Sequence, residues 1–582
     1  MENFYRDNPD IGFHLNHMDL SRVVELKEDG FSEKDDYLEA PNDLPDAIDN
    51  YDRVLDIVGE ISGAFVAPRA REVDAVGARF SNGEVIYAPG TADALDRLKK
   101  ADLMGFTLPR RYGGLNMPKT IYSMATEIVS RADASLMNLF GLQEISDTIY
   151  KFGSEEQRGR FLPRFSSGEV SGAMALTEPD AGSDLQAVML KARMDDQGRW
   201  RLNGVKRFIT NGCADVSLVM ARSEEGTTGG RGISLFIYER DERMKIRRIE
   251  HKLGINGSPT CELQFNDAPA ELLGKRKFGL IKYTMSLMNG ARLGVAAQAV
   301  GVAEAAWREA AGYARDRIQF NRPIRNFTAI TEMLAEMKME IEAARSLLYE
   351  TSRIVDIKEG IEEKIEVHPE TASDLREAAR HYDRLAALFT PMVKAYASEM
   401  ANSVCYRAIQ IHGGVGYTKE FDVERLYRDA RITNIYEGTT QLQVVAAIGG
   451  VVTGVLFERL NSYENEADFS PVSDLFDATQ QFRTHLEKAV SFIKDRRDPQ
   501  LQEFHAGRLV GMATDTTLAY LLCIDALKSD RKKKVARAFI SRAAHRIRGA
   551  LDYILSGDTS ILEFQEDIID LDDRDQCFIR VQ

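Results

Sequence analysis

Four short segments carry residue types from which an active site could be assembled, and the most informative of them leads to Glu437. Residues 411–417 are rich in glycine, which lets a backbone approach a phosphate closely. Residues 435–441 place the Glu437 carboxylate in a turn with apolar neighbours, just before a predicted helix. Burial in such surroundings raises the pKa of a carboxylate toward the range that suits a general base near neutral pH. The alternative interpretation is an ordinary glutamate at the start of a helix.

Two segments nearer the N-terminus could contact a flat ring. Residues 176–184 combine small residues, hydroxyls and a proline, which favours a rigid loop that a ligand can approach, although a plain turn is the alternative. In residues 206–212, Phe208 and Thr210 are two positions apart, so we expect them on the same face of a strand. There they could stack on a ring and hydrogen-bond to it. The alternative is a strand that ends in an Asn-Gly turn.

The fourth segment, residues 315–323, could hold an anion. We expect Arg317 and Phe320 to share a helix face at a spacing of i, i+3, and we expect Pro323 to end that helix. An arginine at a helix end suits a phosphate or a carboxylate. A surface ion pair is the alternative.

The elements that must position these segments change along the chain from helices to strands and back to helices. An Asn203-Gly204 turn between alternating runs predicts a hairpin, and several short runs at this spacing predict a sheet or barrel. Longer periodic runs predict helices over 283–317, 328–355 and 374–411, with a polar insertion over 358–371 and a linker over 461–471. This order predicts an α+β multidomain protein. The predicted regions are an N-terminal extension (1–45), a helical domain (46–167), a middle β domain (168–277), a helical bundle (278–460) and an extra helical domain (472–582).

Composition and charge exclude several classes of protein. The 582-residue chain has a net charge of −15, which opposes general binding to nucleic acid. Its five cysteines are far apart and odd in number, so we expect a reduced, cytoplasmic setting rather than a disulfide framework. The acidic N-terminus predicts no signal or transit peptide. Glycine-rich dinucleotide turns, phosphate loops and clustered metal ligands are not found in the sequence, so we expect no nicotinamide, nucleotide-triphosphate or metal site.

Taken together and in this order, the four segments resemble the acyl-CoA dehydrogenase family. The resemblance extends over about residues 50–455, and its motifs are TEPDAGSD (177–184), KRFITNG (206–212), LGINGSPTC (253–261), RIQFNRPI (317–324), QIHGGVGY (410–417) and YEGTTQ (436–441). It implies an acyl-CoA dehydrogenase fold, with an N-terminal helical domain, a middle β-barrel and a C-terminal four-helix bundle, followed here by an extra C-terminal helical domain.

The resemblance also implies FAD as the cofactor and suggests which residues hold it. Thr177 corresponds to a hydroxyl that bonds the flavin ring, Phe208 stands where the family usually has a tryptophan, and Thr210 is the neighbouring hydroxyl. Thr439 and Gln441 are expected to contact the same flavin. Four residues are expected to reach the flavin of a partner subunit, namely Arg317, Phe320, Gln410 and Gly414.

Within the same resemblance, Glu437 matches the catalytic base. It is the sole candidate, because Ala291 occupies the position where some family members carry the base instead. The implied reaction removes an α-proton and a β-hydride from an acyl-CoA, forms a trans-2-enoyl-CoA and passes electrons to electron-transfer flavoprotein. The residues expected to contact the substrate are Ser183, Asn289, Arg292 and Gly438. Asn289 replaces an aspartate that is common near the CoA in the family. An apolar floor for the acyl pocket is expected from Leu136, Leu139 and Phe140.

The length of the chain points to a subgroup. The extension, the insertion and the extra domain resemble the long bacterial members, which include broad-range fatty-acyl-CoA and 3-methylmercaptopropionyl-CoA dehydrogenases and in which a homodimer is favoured. Two alternatives remain open: an acyl-CoA oxidase, and a flavoprotein of this fold that binds nucleic acid or a membrane. The second depends on a basic cluster in residues 531–548, which could touch a membrane surface peripherally. A solvated helix face paired with the acidic C-terminal tail is the simpler interpretation.

Overall fold

The computed structural model of the protein describes residues 2–569, and the chain divides after Gly450 into two compact units. The first unit begins with helices, interrupted by a small hairpin of β1 (Arg79–Ser81) and β2 (Glu84–Ile86). The helices are α1 (Pro9–His17), α2 (Ser21–Lys27), α3 (Leu44–Glu60), α4 (Ala70–Val76), α5 (Pro89–Lys100), α6 (Lys119–Ala132), α7 (Ala134–Leu142), α8 (Ile145–Phe152) and α9 (Glu155–Ser166).

Hydrogen bonds from side chains, rather than helix propensity alone, fix the N-terminal ends of α6, α7 and α9. The first backbone amides of α6, from Lys119 and Thr120, donate to the Asp356 carboxylate at 2.6 and 2.8 Å. Asp133 caps α7 by accepting from the backbone N–H of Ser135 at 2.7 Å. A capping box of Ser154 and Gln157 starts α9.

The middle of the first unit is a closed barrel. Its strands are β3 (Gly172–Ala175), β4 (Lys191–Met194), β5 (Trp200–Thr210), β6 (Val216–Arg222), β7 (Ile233–Glu239), β8 (Met244–Ile249) and β9 (Thr260–Leu273). The order β6-β4-β5-β9-β7 returns to β6, and β3 and β8 pair at the sides. Side chains alternate along the strands, so Leu218 and Leu235 pack with helical residues, whereas Val219 and Phe236 pack with residues of the other strands.

Three long helices and a shorter one follow the barrel: α10 (Met285–Asp316), α11 (Thr328–Val367), α12 (Ala372–His412) and α14 (Thr440–Val452), with α13 (Val423–Ala430) before α14. Helix α10 packs against α6, α11 and α12. The predicted polar insertion over 358–371 is wrong, because α11 continues through Val367. Ile361 is buried and Lys358 pairs with Glu362 one turn on, at 3.1 Å, so the polar run still forms a helix.

The predicted helical placement of Arg317 and Phe320 is also wrong. Helix α10 ends at Asp316, and a hairpin of β10 (Ile318–Gln319) and β11 (Arg322–Pro323) follows it. Phe320 and Asn321, at the turn, have φ angles of +49° and +60°. Two successive left-handed residues make the turn that suits a two-residue hairpin and cannot continue a helix.

The second unit is helical, with α15 (Val455–Glu466), α16 (Ser473–Arg496), α17 (Pro499–Ala526), α18 (Asp530–Ser556), α19 (Ser560–Glu563) and α20 (Gln565–Ile569). The first half of the predicted linker belongs to helix α15. The Glu464 carboxylate of α15 accepts from Arg483 of α16 at 2.8 Å, which joins α15 to this bundle. Helix α17 has the length and apolar character of a membrane span, but most of its apolar window is buried, as expected for a core helix.

The basic cluster of residues 531–548 lies on α18 and contacts its own unit at several points. Arg537 pairs with Asp474 at 2.5 Å, Arg546 pairs with Asp515 at 2.7 Å, and the Lys533 ammonium donates to the Pro471 carbonyl. The acids that pair with these arginines therefore come from α16 and α17. The acidic C-terminal tail is predicted from the sequence to pair with this cluster, and its residues Asp570, Asp572 and Asp573 lie outside the described residues. The fifth cysteine, Cys577, also lies outside them.

Candidate active site

A cavity of about 190 Å³ in the first unit brings the main predicted site residues together. Glu437 and Gly438 form part of its wall, together with residues of the barrel and of α6, α7, α8 and α10. From the barrel and its connecting loop come the three predicted ring contacts, Thr177, Phe208 and Thr210. More than two hundred residues of sequence separate these three residues from Glu437. They become neighbours of Glu437 only because the bundle packs on the barrel.

A buried ion pair holds the barrel side of the cavity. The Lys206 ammonium donates to the Glu178 carboxylate at 2.8 Å and to the Leu176 carbonyl at 2.7 Å. Glu178 in turn accepts from the backbone amides of Met189 and Leu190 at 2.6 and 2.9 Å. Because Lys206 is fully buried, desolvation lowers its pKa to about 8. This network fixes the loop that carries Thr177.

Phe208 lies at an irregularity of β5. The register of β5 against β9 shifts between Lys206 and Ile209, and Phe208 has a φ of +59°. Backbone strain of this kind is kept only where the surroundings impose it. The kink leaves the aromatic ring 51% exposed at the cavity wall, with the Arg207 guanidinium 4.7 Å from its centre. Phe208 and Thr210 both line the cavity, as the sequence predicts, although the strand between them is not regular.

The turn that carries Glu437 is strained and strongly supported. Glu437 has a φ of +55° and the next residue, Gly438, one of +91°. The Lys394 ammonium donates to the Gly438 carbonyl at 2.6 Å. The Gln443 amide donates to the carbonyls of both turn residues, at 3.1 and 2.9 Å, and Arg292 Nε donates to the Glu437 carbonyl at 3.3 Å. Three side chains thus fix two successive carbonyls.

Burial and the nearby positive charges shift the pKa of Glu437 in opposite directions. Burial raises the pKa of the Glu437 carboxyl, and the positive charges of Arg292 and Lys394 partly offset that rise. The Lys394 pKa falls to about 8, because burial and then Arg292 oppose its charge more than Glu437 supports it. The net result is a carboxylate with a pKa above its usual value, which suits a general base near neutral pH.

A second polar network lies beneath the turn. The Tyr436 hydroxyl donates to Gln298 of α10 and, at 3.2 Å, to the Asn138 side chain of α7. Gln298 also donates to Asn138 at 3.0 Å. Sequence patterns gave no sign of Gln298, Lys394 or Gln443, because single polar residues inside helices carry no motif. Their position next to the turn becomes visible only when the helices are packed.

The remaining predicted residues lie outside this cavity. Arg292 contacts the catalytic turn and donates to Asn289 at 3.1 Å, and Asn289 faces a second cavity of about 570 Å³. Ser183 is exposed on the loop after the Thr177 motif. Thr439 is half-buried at the end of the Glu437 turn, and the other five predicted residues are exposed at the surface of the first unit: Arg317, Phe320, Gln410, Gly414 and Gln441.

The floor predicted for the acyl pocket is wrong, because the prediction turned the wrong face of α7 toward the cavity. Leu136, Leu139 and Phe140 are buried in the core, on the face of α7 turned away from the cavity. The opposite face, with Met137, Asn138 and Gly141, lines the cavity. An apolar helix such as α7 is hydrophobic on nearly every side, so its sequence does not reveal which side meets the ligand.

Comparisons with known proteins decide the family. Models of the acyl-CoA dehydrogenase N-terminal, middle and C-terminal domains match residues 50–169, 173–268 and 281–448. A further model, described as acyl-CoA dehydrogenase C terminal, matches residues 452–559. The chain belongs to the acyl-CoA dehydrogenase family. The predicted fold and the extra C-terminal helices are confirmed, and the protein is an FAD-dependent oxidoreductase of this family.

Individual relatives of the chain agree with this assignment. The 3-methylmercaptopropionyl-CoA dehydrogenase of Ruegeria pomeroyi is 34% identical over 432 residues, which cover 69% of this chain and 70% of that protein. The structure of an acyl-CoA dehydrogenase complexed with FAD from Bacillus anthracis matches with a TM-score of 0.73 at 25% identity, covering 88% and 90% of the two chains. A chain from the structure of the electron transferring flavoprotein of Acidaminococcus fermentans matches with a TM-score of 0.59 at 34% identity, covering 68% and 96%.

The residues at the barrel side of the cavity fit the flavin ring of FAD. Phe208 offers an exposed aromatic face beside the half-buried side chains of Thr177 and Thr210. A planar, partly apolar ring with polar edges needs this combination of a stacking face and hydroxyls. Thr177, Phe208 and Thr210 would therefore hold the flavin ring in the cavity that Glu437 also lines.

Proposed function

We propose that this protein catalyses the α,β-dehydrogenation of an acyl-CoA thioester to a trans-2-enoyl-CoA, with Glu437 as the base. The proposal rests on one observation: Glu437 shares a single, largely apolar cavity with Thr177, Phe208 and Thr210. A carboxylate on one wall and a ring-binding surface on another leave room for a flat thioester between them. Bound FAD supplies the acceptor for the hydride that leaves the substrate β-carbon.

The protein's own residues prepare the proton transfer. Glu437 takes the α-proton, and its raised pKa makes it a better base than an exposed glutamate. Its backbone N–H is proposed to donate to the thioester oxygen, where negative charge develops. Arg292, Lys394 and Gln443 hold the turn, so that this N–H and the carboxylate keep their positions during the reaction. We place Gly438, Thr439 and Gln441 around the same ligands.

We also propose that a homodimer completes the flavin site and that electron-transfer flavoprotein accepts the electrons. The exposed positions of Arg317, Phe320, Gln410 and Gly414 support the first proposal, because residues at the surface of one subunit can reach a cofactor held by another. Phe320 is 88% exposed, so its ring is accessible to a second subunit. The likeness to a chain from an electron transferring flavoprotein structure supports the second.

The direct test uses the holoenzyme without oxygen. We expect addition of an acyl-CoA to bleach the flavin absorbance at a rate that a stopped-flow experiment can follow, and we expect electron-transfer flavoprotein to restore it. A panel of straight, branched, aromatic and dicarboxylic acyl-CoAs covers the substrate classes. Bleaching with none of them would refute the proposal. Rapid restoration by oxygen alone, with hydrogen peroxide formed, would instead identify an acyl-CoA oxidase.

Replacing Lys394 with methionine should impair catalysis through Glu437. The variant loses the bond to the Gly438 carbonyl and a positive charge that holds the Glu437 pKa down. We expect kcat to fall by about 10-fold or more, as for the loss of a buried hydrogen bond to a charged group. We also expect the acid limb of the pH–rate profile to move to higher pH, because the Glu437 pKa rises further when the cation is removed.

The control is Lys394→Arg, which keeps the charge and should keep the pH limb near its original position. Flavin content should be equal in the two variants and the unmodified protein. An unchanged acid limb in Lys394→Met would show that Lys394 does not act on Glu437.

A further inference from the structure

The sequence motif over residues 253–261 has no part in the proposed chemistry. It covers most of the loop between β8 and β9, and although the structure describes all of these residues, none of them lines the cavity with Glu437. Within this loop Ile255 has a φ of +49°, which is strained for a branched side chain. Strain of this kind is kept only where the surroundings impose it. The groups that hold the loop therefore indicate its role.

Hydrogen bonds fix the loop to two helices. The Ile255 backbone N–H donates to the Asp429 carboxylate of α13 at 2.5 Å, and the Gly257 N–H donates to the Ser135 hydroxyl of α7 at 3.2 Å. The loop also lies so close to α13 that a Cβ atom built on Gly254 would be 2.6 Å from the helix backbone. That distance leaves no space for a side chain at this position. The loop is thus a fixed point next to α7, one of the helices that line the cavity.

A chain of buried hydrogen bonds leads from this loop toward the catalytic turn. Ser258 is fully buried, and its hydroxyl donates to the Ile255 carbonyl at 3.1 Å and accepts from the Asn138 amide at 3.1 Å. Asn138 in turn accepts from the Gln298 amide at 3.0 Å, and Gln298 accepts from the Tyr436 hydroxyl. The Ser258 chain therefore consists of Ser258, Asn138, Gln298 and Tyr436.

Backbone carbonyls, which can only accept, set the direction of the bonds in the Ser258 chain. At one end the Ile255 carbonyl requires Ser258 to donate, so the serine oxygen is left to accept from the next amide. At the other end Gln298 donates to the Ala134 carbonyl at 2.9 Å, so the Gln298 oxygen faces Tyr436 and accepts from it. Removal of one member therefore leaves the neighbouring buried group without its partner.

Tyr436 connects the Ser258 chain to the catalytic base. It directly precedes Glu437 in the sequence and lines the same cavity. Burial and the Glu437 charge raise the pKa of Tyr436 above its usual value, so the phenol keeps its proton and remains a donor. Lys394, Gln443 and Arg292 hold the carbonyls of the catalytic turn itself, whereas the Ser258 chain holds the residue immediately before it.

We propose that the Ser258 chain positions Glu437 for removal of the α-proton, with the loop over residues 253–261 as its fixed end. The inference rests on the proposed function, because it assigns positioning residues to the same reaction. Ser258 is buried behind the cavity wall and does not line it, so it acts on the rate through the other members of the chain. A base whose turn is held on one side only spends more time in positions from which it cannot reach the α-proton.

The first experiment replaces Ser258 with alanine in the holoenzyme and uses the acyl-CoA that bleaches the unmodified protein fastest. We expect the maximal bleaching rate to fall by about 10-fold, since misplacing a reacting group by about 1 Å costs up to about 100-fold. The dissociation constant of the substrate, taken from the concentration dependence of the same rate, should stay nearly unchanged. The acid limb of the pH–rate profile should also keep its position, because the burial and charges that set the Glu437 pKa remain.

A double variant shows whether this loss passes through Tyr436. Tyr436→Phe removes the hydroxyl that joins the chain to the turn, and we expect it to slow bleaching by a similar factor. Adding Ser258→Ala to Tyr436→Phe should then give no further loss, because members of one hydrogen-bond network are not additive. Losses that multiply would overturn the inference. The same cycle with Gln298→Met tests a second link, and it decides the question if Ser258→Ala does not retain its flavin.

Ser135→Ala is the matched control, because Ser135 also joins α7 to the loop but lies outside the Ser258 chain. The loop keeps its bond to Asp429 in this variant, so we expect bleaching close to that of the unmodified protein. An equal loss in Ser135→Ala, or an unchanged rate in Ser258→Ala, would overturn the inference while bleaching itself still supports dehydrogenation. If no acyl-CoA bleaches the flavin of the unmodified protein, it is the proposed function that fails.

Discussion

Replacing Glu437 with glutamine is expected to lower kcat by about 10²- to 10⁴-fold, the range for loss of a general base. Glutamine has nearly the same shape as glutamate but cannot accept the α-proton. The carbonyls of Glu437 and Gly438 keep their donors in this variant, because Lys394, Gln443 and Arg292 bond to the backbone rather than to the carboxylate. The turn should therefore remain intact, and purified Glu437→Gln should carry the same amount of FAD as the unmodified protein.

The pH dependence gives an independent measure of the same role. Burial raises the pKa of Glu437, so the fraction of the base in its active, ionised form increases as pH rises through that value and is lost as pH falls below it. We expect the rate of flavin bleaching to rise with pH along this limb in the unmodified protein. The limb should be missing from the residual activity of Glu437→Gln.

A second carboxylate variant serves as the control. Glu437→Asp keeps a base but withdraws it by one methylene, so we expect a loss intermediate between the unmodified protein and Glu437→Gln. Normal bleaching by Glu437→Gln, with the acid limb unchanged, would assign proton removal to another group.

The parts of the site that the sequence predicted are those carried by short, continuous motifs. Thr177, Phe208 and Thr210 come from two such motifs, Glu437 comes from a third, and all four line one cavity. Local sequence suffices here because a turn or strand end with an unusual composition is visible without knowledge of the packing. The positive φ angles of Phe208 and Glu437 show that both motifs hold backbones that a random segment would avoid.

The parts that were missed depend on which surfaces meet. The cavity face of α7 is set by its neighbours, so the sequence placed Leu136 on the cavity floor where the structure places Met137. Arg317 follows a helix whose end is determined by the hairpin turn at Phe320, and no proline or glycine precedes that turn to announce it. Lys394 lies inside the long helix α12, where one polar residue among many is not a signal.

The long helix α11 shows the same limit at a larger scale. A polar, acidic stretch was expected to leave the helix after Val355, but the helix ends only at Val367. Helix α11 also carries Asp356, which caps α6, and Arg345, which is fully buried. Its role is to connect the N-terminal helices to the bundle, and such a role follows from contacts between segments that are hundreds of residues apart.

Replacing Arg345 with methionine is expected to be among the most destabilising single changes in the first unit. The Arg345 guanidinium donates to Asp10 of the N-terminal extension at 2.5 Å, to Glu127 of α6 at 2.6 Å and to Glu304 of α10 at 3.1 Å. Methionine would leave three buried carboxylates without that cation. We expect the unfolding free energy to fall by about 3–5 kcal/mol, as when one partner of a buried ion pair is removed.

The pH dependence of this loss follows from Glu304. Burial would raise the pKa of its carboxyl, but the cations of Lys338, Arg345 and Arg308 outweigh burial and hold the pKa below its usual range. A carboxylate with a lowered folded-state pKa contributes stability above its unfolded pKa and loses it as pH falls. The difference between Arg345→Met and the unmodified protein should therefore be largest near neutral pH and should shrink as the carboxylates are protonated.

Urea unfolding of the holoenzyme, followed by flavin release and by circular dichroism, measures the loss, and limited proteolysis measures release of the N-terminal extension that Asp10 anchors. Arg22→Met is the matched control: Arg22 lies in the same extension and pairs with Glu25 at 2.7 Å, but the two side chains are 40% and 50% exposed. Exposed pairs of this kind contribute about 0–1 kcal/mol, so this control should unfold close to the unmodified protein. If the two variants lost equal stability, the Arg345 cluster would be no more important to the fold than a surface ion pair, and the extension would need another anchor.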